Sequence, residues 1–386
     1  MNLFIDVAST SLNKFGEELC GDKAEHFRTE DGIIAVLADG LGSGVKANIL
    51  ATLTSKIAIT MLKEGMDIEE VVETITNTLP VCKIRNLAYS TFTIVKISNN
   101  NEAYIVEFDN PSIFFIRDGE IANLPYKTVD INNRRIKETR CKLQENDLIV
   151  LTSDGAIHAG VGKVLNLGWK WEHVAEYLEK AYRSYNSAKY IANNLLNACE
   201  DLYLNEPGDD TTVLAIKMRK PQHTVLFSGP PEDREMDKVI IKELIESEGM
   251  KVVSGGTAAH IVARELNEKL RTNFDIYDKN IPPTANIKGI NLVTEGVLTL
   301  NAVIERLKIA RGSRDLSFLE QKDGASRLAK LIIEDSTHLR MLVGKAINPA
   351  HQNSNFPKEL SIKWTILEQL KKSAEELGKI VNIEYY

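Results

Sequence analysis

"LADGLGSGVKAN" (residues 37–48) runs an apolar strand into an aspartate, then through three glycines in five positions, Gly40, Gly42 and Gly44, into a helix. A glycine-rich turn after a strand is often a phosphate cradle. The lysine of a P-loop is missing from its required place, because Lys46 comes too late and is followed by Ala47 instead of Ser or Thr. Two roles stay open for Asp39: capping the helix, or holding a cation. The cap is awkward, since residues 40–44 stand between the aspartate and a helix expected over 45–63.

Around this stretch, 386 residues are too many for one ordinary core and imply two or more domains. Apolar residues at 43% and charged ones at 26% are those of a globular protein. A net charge of −7 argues against a nucleic-acid partner. No run approaches 18 uninterrupted apolar residues, so no membrane span is expected. The opening "MNLFIDVASTSLNKFGEEL" lacks a basic segment followed by a long apolar core, and a cytoplasmic location is the expectation. Cys20, Cys82, Cys141 and Cys199 lie far apart with no C-x-x-C, which fits reduced thiols in structural, buried roles.

The first 80 residues read as strand alternating with helix. "GIIAVLAD" is a strand buried on both faces, "VKANILATLTSKIAITMLKEG" a helix stopped by Gly65, and "DIEEVVETITNTLP" a second helix opened by Asp67 and Glu70. "YSTFTIVKI", "EAYIVEF" and "SIFFIRDGEIANL" are joined by turn chemistry into an antiparallel meander. "ENDLIVLTSDG" is a further strand, two helices follow over 171–185 and 188–204, and "GDDTTVLAIKM" returns as a strand. "RKPQH" then breaks the pattern near residue 220, placing one domain at 1–219 and a second at 220–386. In the second, "TVLFSGPP", "KVVSGG", "GINLVTEG", "HLRMLVG" and "IVNIEYY" alternate with helices, as in a mostly parallel sheet covered on both faces. The chain is α/β overall.

Four segments of the first domain share one design: "CGDKAEHF" with Asp22, "LADGLGSG" with Asp39, "LTSDGAI" with Asp154, and "GDDTTVL" with Asp209 and Asp210. If neighbouring strands run antiparallel, strand ends and strand starts meet at one sheet edge, and these carboxylates crowd there. Crowded carboxylates need raised pKa values or a cation. Oxygen-only donors suit Mg²⁺ or Mn²⁺, and no cysteine–histidine grouping suits zinc. Taken singly, "SDG", "GDD" and Asp22 are ordinary turn chemistry, and His26 and His158 read as core or surface histidines.

In this order the segments resemble the metal-dependent (PPM, type 2C) serine/threonine protein phosphatases, in their SpoIIE-like bacterial branch. "ADGLGSG", "LTSDG" and "DDTT" match the ordered family motifs, and "DNPSIFFIRDGEI" with "NDLIVLTSDG" matches the branch, over residues 1–218. The resemblance implies an α-β-β-α sandwich and two divalent ions, Mn²⁺ or Mg²⁺. It implies that Asp39 bridges the two ions and that the Gly40 carbonyl binds one. Asp154 and Asp209 complete the other ion, with Asp22 on the site. Asp210 then stands behind the ligands, and Thr212 tethers the Asp209 turn. The implied activity is hydrolysis of phosphoserine or phosphothreonine on a bacterial signalling protein by a metal-activated water, regulated by the second domain. The phosphate-binding arginine of eukaryotic relatives is missing from "STSLNKFGEELCGD", where Lys14 is the nearest cation. The alternative is a non-catalytic metabolite sensor or scaffold built on the same fold.

The second domain matches no family motif. Gly255, Gly256 and Thr257 lead straight into a helix whose free N–H groups favour an anion. Glu295 stands at another strand tip, and Lys345 and His351 follow "HLRMLV". These residues form the expected site for a small anionic effector, against the alternative that the glycines only close β-to-α turns. A homodimer is left open.

Overall fold

The computed structural model describes residues 3–78, 81–82, 87–88, 90–131, 134–273, 275, 277–346 and 362–386. It divides into two compact units, residues 1–220 and 221–386. In the first unit the order is β1 (Phe4–Leu12), β2 (Asp22–Thr29), β3 (Gly32–Gly40), α1 (Gly44–Lys63), α2 (Ile68–Thr78), β4 (Val81–Cys82) and β5 (Leu87–Ala88). There follow β6 (Ser90–Ser98), β7 (Glu102–Phe108), β8 (Phe114–Arg117), β9 (Glu120–Ile121), β10 (Tyr126–Ile131), β11 (Arg134–Lys142) and β12 (Leu148–Thr152). α3 (Asp154–Ile157), α4 (Trp171–Ser184), α5 (Ala188–Leu202) and β13 (Thr211–Arg219) complete it.

Two antiparallel sheets stack face to face, one in the order β1-β13-β12-β8-β9 and the other β10-β11-β7-β6-β3-β2. Strand alternation explains the layering. Along β3, Ile33, Ala35 and Leu37 point between the sheets towards Ile149, Leu151, Leu214 and Ile216. Ile34, Val36 and Ala38 point outward onto Ala51, Ala58 and Leu62 of α1 and Val71, Val72 and Ile75 of α2. On the opposite outer face, α4 and α5 bury Val174, Leu178, Ile191 and Leu195 against β12 and β13. The result is the four-layer α-β-β-α sandwich that the family resemblance implies.

Strand and helix do not alternate over the first 80 residues: β1, β2 and β3 come in succession, and both helices follow them. β2, "DKAEHFRT", is a sheet edge with polar residues on its open side, so it carries no apolar run to betray it. By length and hydropathy α1 could cross a bilayer. In this fold its Ala47, Ala51, Ala58 and Leu62 pack on the sheet, while Val45, Ile49 and Leu53 face away from it and are exposed.

The second unit contains β14 (His223–Ser228), α6 (Met236–Glu246), β15 (Met250–Ser254), α7 (Gly256–Glu265), β16 (Arg271–Thr272), β17 (Ala285–Asn286), β18 (Leu292–Thr294) and α8 (Val297–Gly312). α9 (Gly324–Lys330), β19 (His338–Val343), α10 (Ile362–Glu375) and β20 (Ile380–Tyr385) follow. They form one sheet, β16-β17-β18-β15-β14-β19-β20, in which β18 to β20 are parallel and β16 and β17 are antiparallel. Val225 and Phe227 of β14 bury one face under α6 and α7. α8 packs on α9 and α10 as a separate group. The sheet is mostly parallel, as the alternation of elements predicts.

Candidate metal centre

Antiparallel register brings the acidic segments together. Asp22, the first residue of β2, is the Cα partner of Asp39 near the end of β3. In the facing sheet β12 and β13 are neighbours, so the exit of β12 lies beside the entry to β13. Ser153 N donates to Thr212 O at 3.0 Å, and Thr212 N donates to Ser153 Oγ at 2.9 Å. Asp154 does not end its strand: it lies two residues past β12 and opens the single-turn helix α3. Asp209 and Asp210 lie just before β13. Both sheets thus deliver carboxylates to one cavity of about 660 Å³, lined by Asp22, Asp39, Asp154, Asp209 and Asp210 together with Lys14, Leu41, Gly42, Ser43, Ser90, Thr91 and Asp109.

Burial first, and then the charges of Asp22, Asp154, Asp209 and Asp210, push the Asp39 carboxyl up to about 9. Burial likewise pushes Asp22 up to about 7, against the Ser153 and Thr212 hydroxyls that pull the other way. Asp209 is raised by burial and by Asp154, with Lys14 opposing. Asp22 Oδ2 and Asp210 Oδ2 are buried with no hydrogen-bond partner. Such orphaned acceptors are costly unless something fills them. Among the described residues, no three His, Cys, Asp or Glu side chains are gathered closely enough to hold an ion as they stand. The donor set, all oxygen, is nevertheless the kind that takes a hard divalent cation.

Several placements differ from the sequence reading. Thr212 does not tether the Asp209 turn: its hydroxyl donates to Ser11 Oγ at 2.8 Å and lies against Asp22. Thr211 holds that turn instead, donating to Asp209 O at 3.2 Å, and Asp210 N donates to Asp209 Oδ1 at 3.0 Å. Asp210 lines the cavity itself, and its Oδ1 accepts from Lys14 N at 3.0 Å. Gly40 is buried and does not line the cavity. A Cβ there would overlap the Ala47 carbonyl of α1. Gly40→Ala is therefore expected to push α1 away from β3 and destabilise the first unit by about 1–3 kcal/mol, measured by urea denaturation.

Asp109 is a wall residue that the sequence reading passed over. Its φ of 53° puts it in the left-handed region, a signal carried by the "DNP" turn. Its neighbour Asn110 fixes that turn with bonds to Thr91 and Thr93. His26 and His158 do not line the cavity. Burial and Asp22 push the Cys20 thiol up to about 12, which leaves it inert as a nucleophile. Cys199 is fully buried, whereas Cys20 and Cys141 are half-buried; all three are free thiols. The Cys82 side chain lies outside the described residues.

In the second unit, Gly255 N donates to Thr294 O at 3.0 Å and Ser254 Oγ to Glu295 O at 3.0 Å. The lips of β15 and β18 therefore bring Gly255, Gly256, Thr257 and Glu295 together. Lys345 stands apart from them, beyond β14 and after β19, where its N–H donates to Tyr386 O. Glu295 itself is exposed and follows β18, two residues before α8, and a carboxylate on the neighbouring turn is no partner for an anion. His351 falls outside the described residues.

Residues 29–219 match the family model described as Stage II sporulation protein E (SpoIIE). The match lies within the first unit, which over those residues is similar to the SpoIIE family. Among solved structures, the PP2C phosphatase domain with a fragment of the regulatory domain of SpoIIE from Bacillus subtilis is 20% identical, covers 56% of this chain and 64% of its own, and has a TM-score of 0.46. The RsbU and RsbW domains of a Mycobacterium tuberculosis protein are 16% identical with a TM-score of 0.47, covering 64% of this chain and 68% of their own. RsbX in complex with magnesium is 20% identical with a TM-score of 0.41, covering 55% of this chain and 95% of its own. No curated protein matches the chain. The second unit lies outside the family match.

Proposed function

We propose that the first unit hydrolyses phosphoserine or phosphothreonine on a protein of bacterial signalling, using two divalent ions, Mn²⁺ or Mg²⁺. The observation that carries this reading is the cavity where Asp22, Asp39, Asp154, Asp209 and Asp210 meet from two facing sheets, with the carboxyls of Asp22, Asp39 and Asp209 pushed up and one oxygen each of Asp22 and Asp210 orphaned. Asp22, Asp39, Asp154 and Asp209 would hold the ions. When bound, two such ions activate water and neutralise charge on a phosphoryl group during in-line displacement. Asp39 and Asp22, whose carboxyls burial pushes up, would give up protons if ions were bound there. Asp210 steadies the Lys14 backbone, which sets that ammonium on the rim as the cation for an incoming phosphate. Leu41, Gly42 and Ser43 form the lip over which a phosphorylated side chain enters. The second unit regulates this activity in the same reading.

Turnover of p-nitrophenyl phosphate or a phosphopeptide by the full chain is expected with Mn²⁺ or Mg²⁺, to vanish with EDTA and to return on adding metal. Absence of turnover with either ion sinks the reading. Binding of metal without turnover would instead favour a non-catalytic sensor, the reading to which the ungathered carboxylates lend weight.

A further inference from the structure

The parallel strands of the second unit lie in the order β18-β15-β14-β19-β20, while the chain visits β14 first, then β15 and β18, and only then returns to β19 and β20. Numbered by visit, that order is 3-2-1-4-5. Sheets wound this way reverse direction between their first and fourth strands, and the crevice outside the carboxyl ends of those two strands is the usual ligand position. Here the chain leaving β14 passes to α6 on one face. The chain leaving β19 reaches α10, which packs with α8 in the other helix group.

The lip of that crevice is made of glycine. Gly229 follows β14 with φ of 78°, and a Cβ on it would overlap the Lys363 ammonium. Gly344 follows β19, and a Cβ on it would overlap the Pro230 carbonyl. The two turns are bonded to each other, Gly344 N to Ser228 O at 3.1 Å and Ala346 N to Pro230 O at 3.0 Å.

Lys363 donates its ammonium to the Gly344 carbonyl. Burial pushes its pKa down to about 8, and among the described residues no carboxylate pairs with it. Its place is the first turn of α10, where the helix dipole disfavours a cation. A half-buried ammonium with a carbonyl as its partner, at the wrong end of a helix, is a cost that an anion in the crevice removes.

We propose that the crevice outside the paired Gly229 and Gly344 turns, at the carboxyl ends of β14 and β19, binds a small ligand through its phosphoryl group, with Lys363 as the cation that holds it. The site lies beyond β14 from the Gly255 and Glu295 turns, and it does not depend on the phosphatase reading.

The test is calorimetric titration of the full chain carrying Asp39→Asn, in EDTA, with inorganic phosphate and separately with AMP as probes. At least one probe is expected to bind at sub-millimolar concentration. Lys363→Met should weaken it tenfold or more, while Lys288→Met, an equal change of charge at an exposed position, leaves it unchanged. Binding of phosphate identifies the phosphoryl group alone as sufficient; binding of AMP alone adds a contribution from the nucleoside. Should Lys363→Met fail to fold, trace acylation of the Asp39→Asn chain reads the same contact, with the binding probe slowing labelling of Lys363 at least fivefold. Neither probe binding, Lys363→Met binding like its parent, or Lys363 labelling unprotected would each overturn the proposal.

Discussion

Asp39→Asn is expected to lose metal-dependent phosphatase turnover by about a thousandfold or more, the scale on which removing a charge-stabilising group acts, and at the same time to make the metal-free protein more stable at pH 8. The second half follows from linkage. In the folded, metal-free chain the Asp39 carboxyl is raised from the ordinary 3.8 to about 9, and Asp22 to about 7. Between those values the folded state holds protons that the unfolded state has released. Stability therefore falls as pH rises from about 4 towards 9. An amide at position 39 removes the largest share of that penalty and relieves Asp22 of a like charge. After allowance for relaxation of a coupled group, the gain is on the order of 2 kcal/mol, or roughly 4–8 °C in Tm, at pH 8 and close to nothing at pH 4. Thermal melts in EDTA at both pH values, beside turnover in Mn²⁺, read the two halves. A variant less stable than its parent at pH 8 would show that Asp39 serves packing and not an absent cation.

Asp6→Ala should be the most destabilising single substitution in the first unit outside its apolar core. Asp6 pairs with Arg219 at 3.2 Å between the ends of β1 and β13, and both side chains are less than a tenth exposed. The same oxygen, Oδ2, accepts from Ala188 N at 3.0 Å, which fixes the start of α5. Two residues before Arg219, burial and that guanidinium push the Lys217 ammonium down to about 8. Deleting the carboxylate removes the negative charge that faces two buried cations, Arg219 and Lys217, and frees a helix terminus. Breaking a buried pair by removing one partner costs about 3–5 kcal/mol. Urea denaturation followed by hydrogen exchange at β1 and β13 amides measures it, and a loss below about 1 kcal/mol would show that solvent reaches Arg219. Asp6→Asn, which keeps the acceptor for Ala188, should recover part of the loss.

Much of the fold was legible because the core strands are apolar without interruption. "GIIAVLAD", "LIVLT" and "TTVLAIKM" each read as strands and are paired on both sides within their sheets. The polar strands were silent: β2 and β10, which are sheet edges, and β11, whose "RRIKETRCK" has no apolar alternation to report. Propensity cannot identify a strand whose side chains answer to solvent on one side. The site followed the same division. Glycine beside aspartate marked Asp39 and Asp154, whereas Asp109 looked like any turn residue, and Thr212 took its partners from β1 and β2, at the far end of the unit's sequence.

By itself, then, the sequence determined which segments are strands and helices wherever burial is periodic, and which acidic residues stand beside backbone able to turn. Composition, spacing and motif order are local or ordered along the chain, and they survive in one dimension. Tertiary structure alone decided that Asp22 faces Asp39 across a ladder, and that Asp109 joins them. It also decided that β19 returns to the far side of β14, leaving the Lys363 ammonium at the crevice. Register and strand order arise from burying two faces of each sheet at once, a long-range condition that no window of sequence contains.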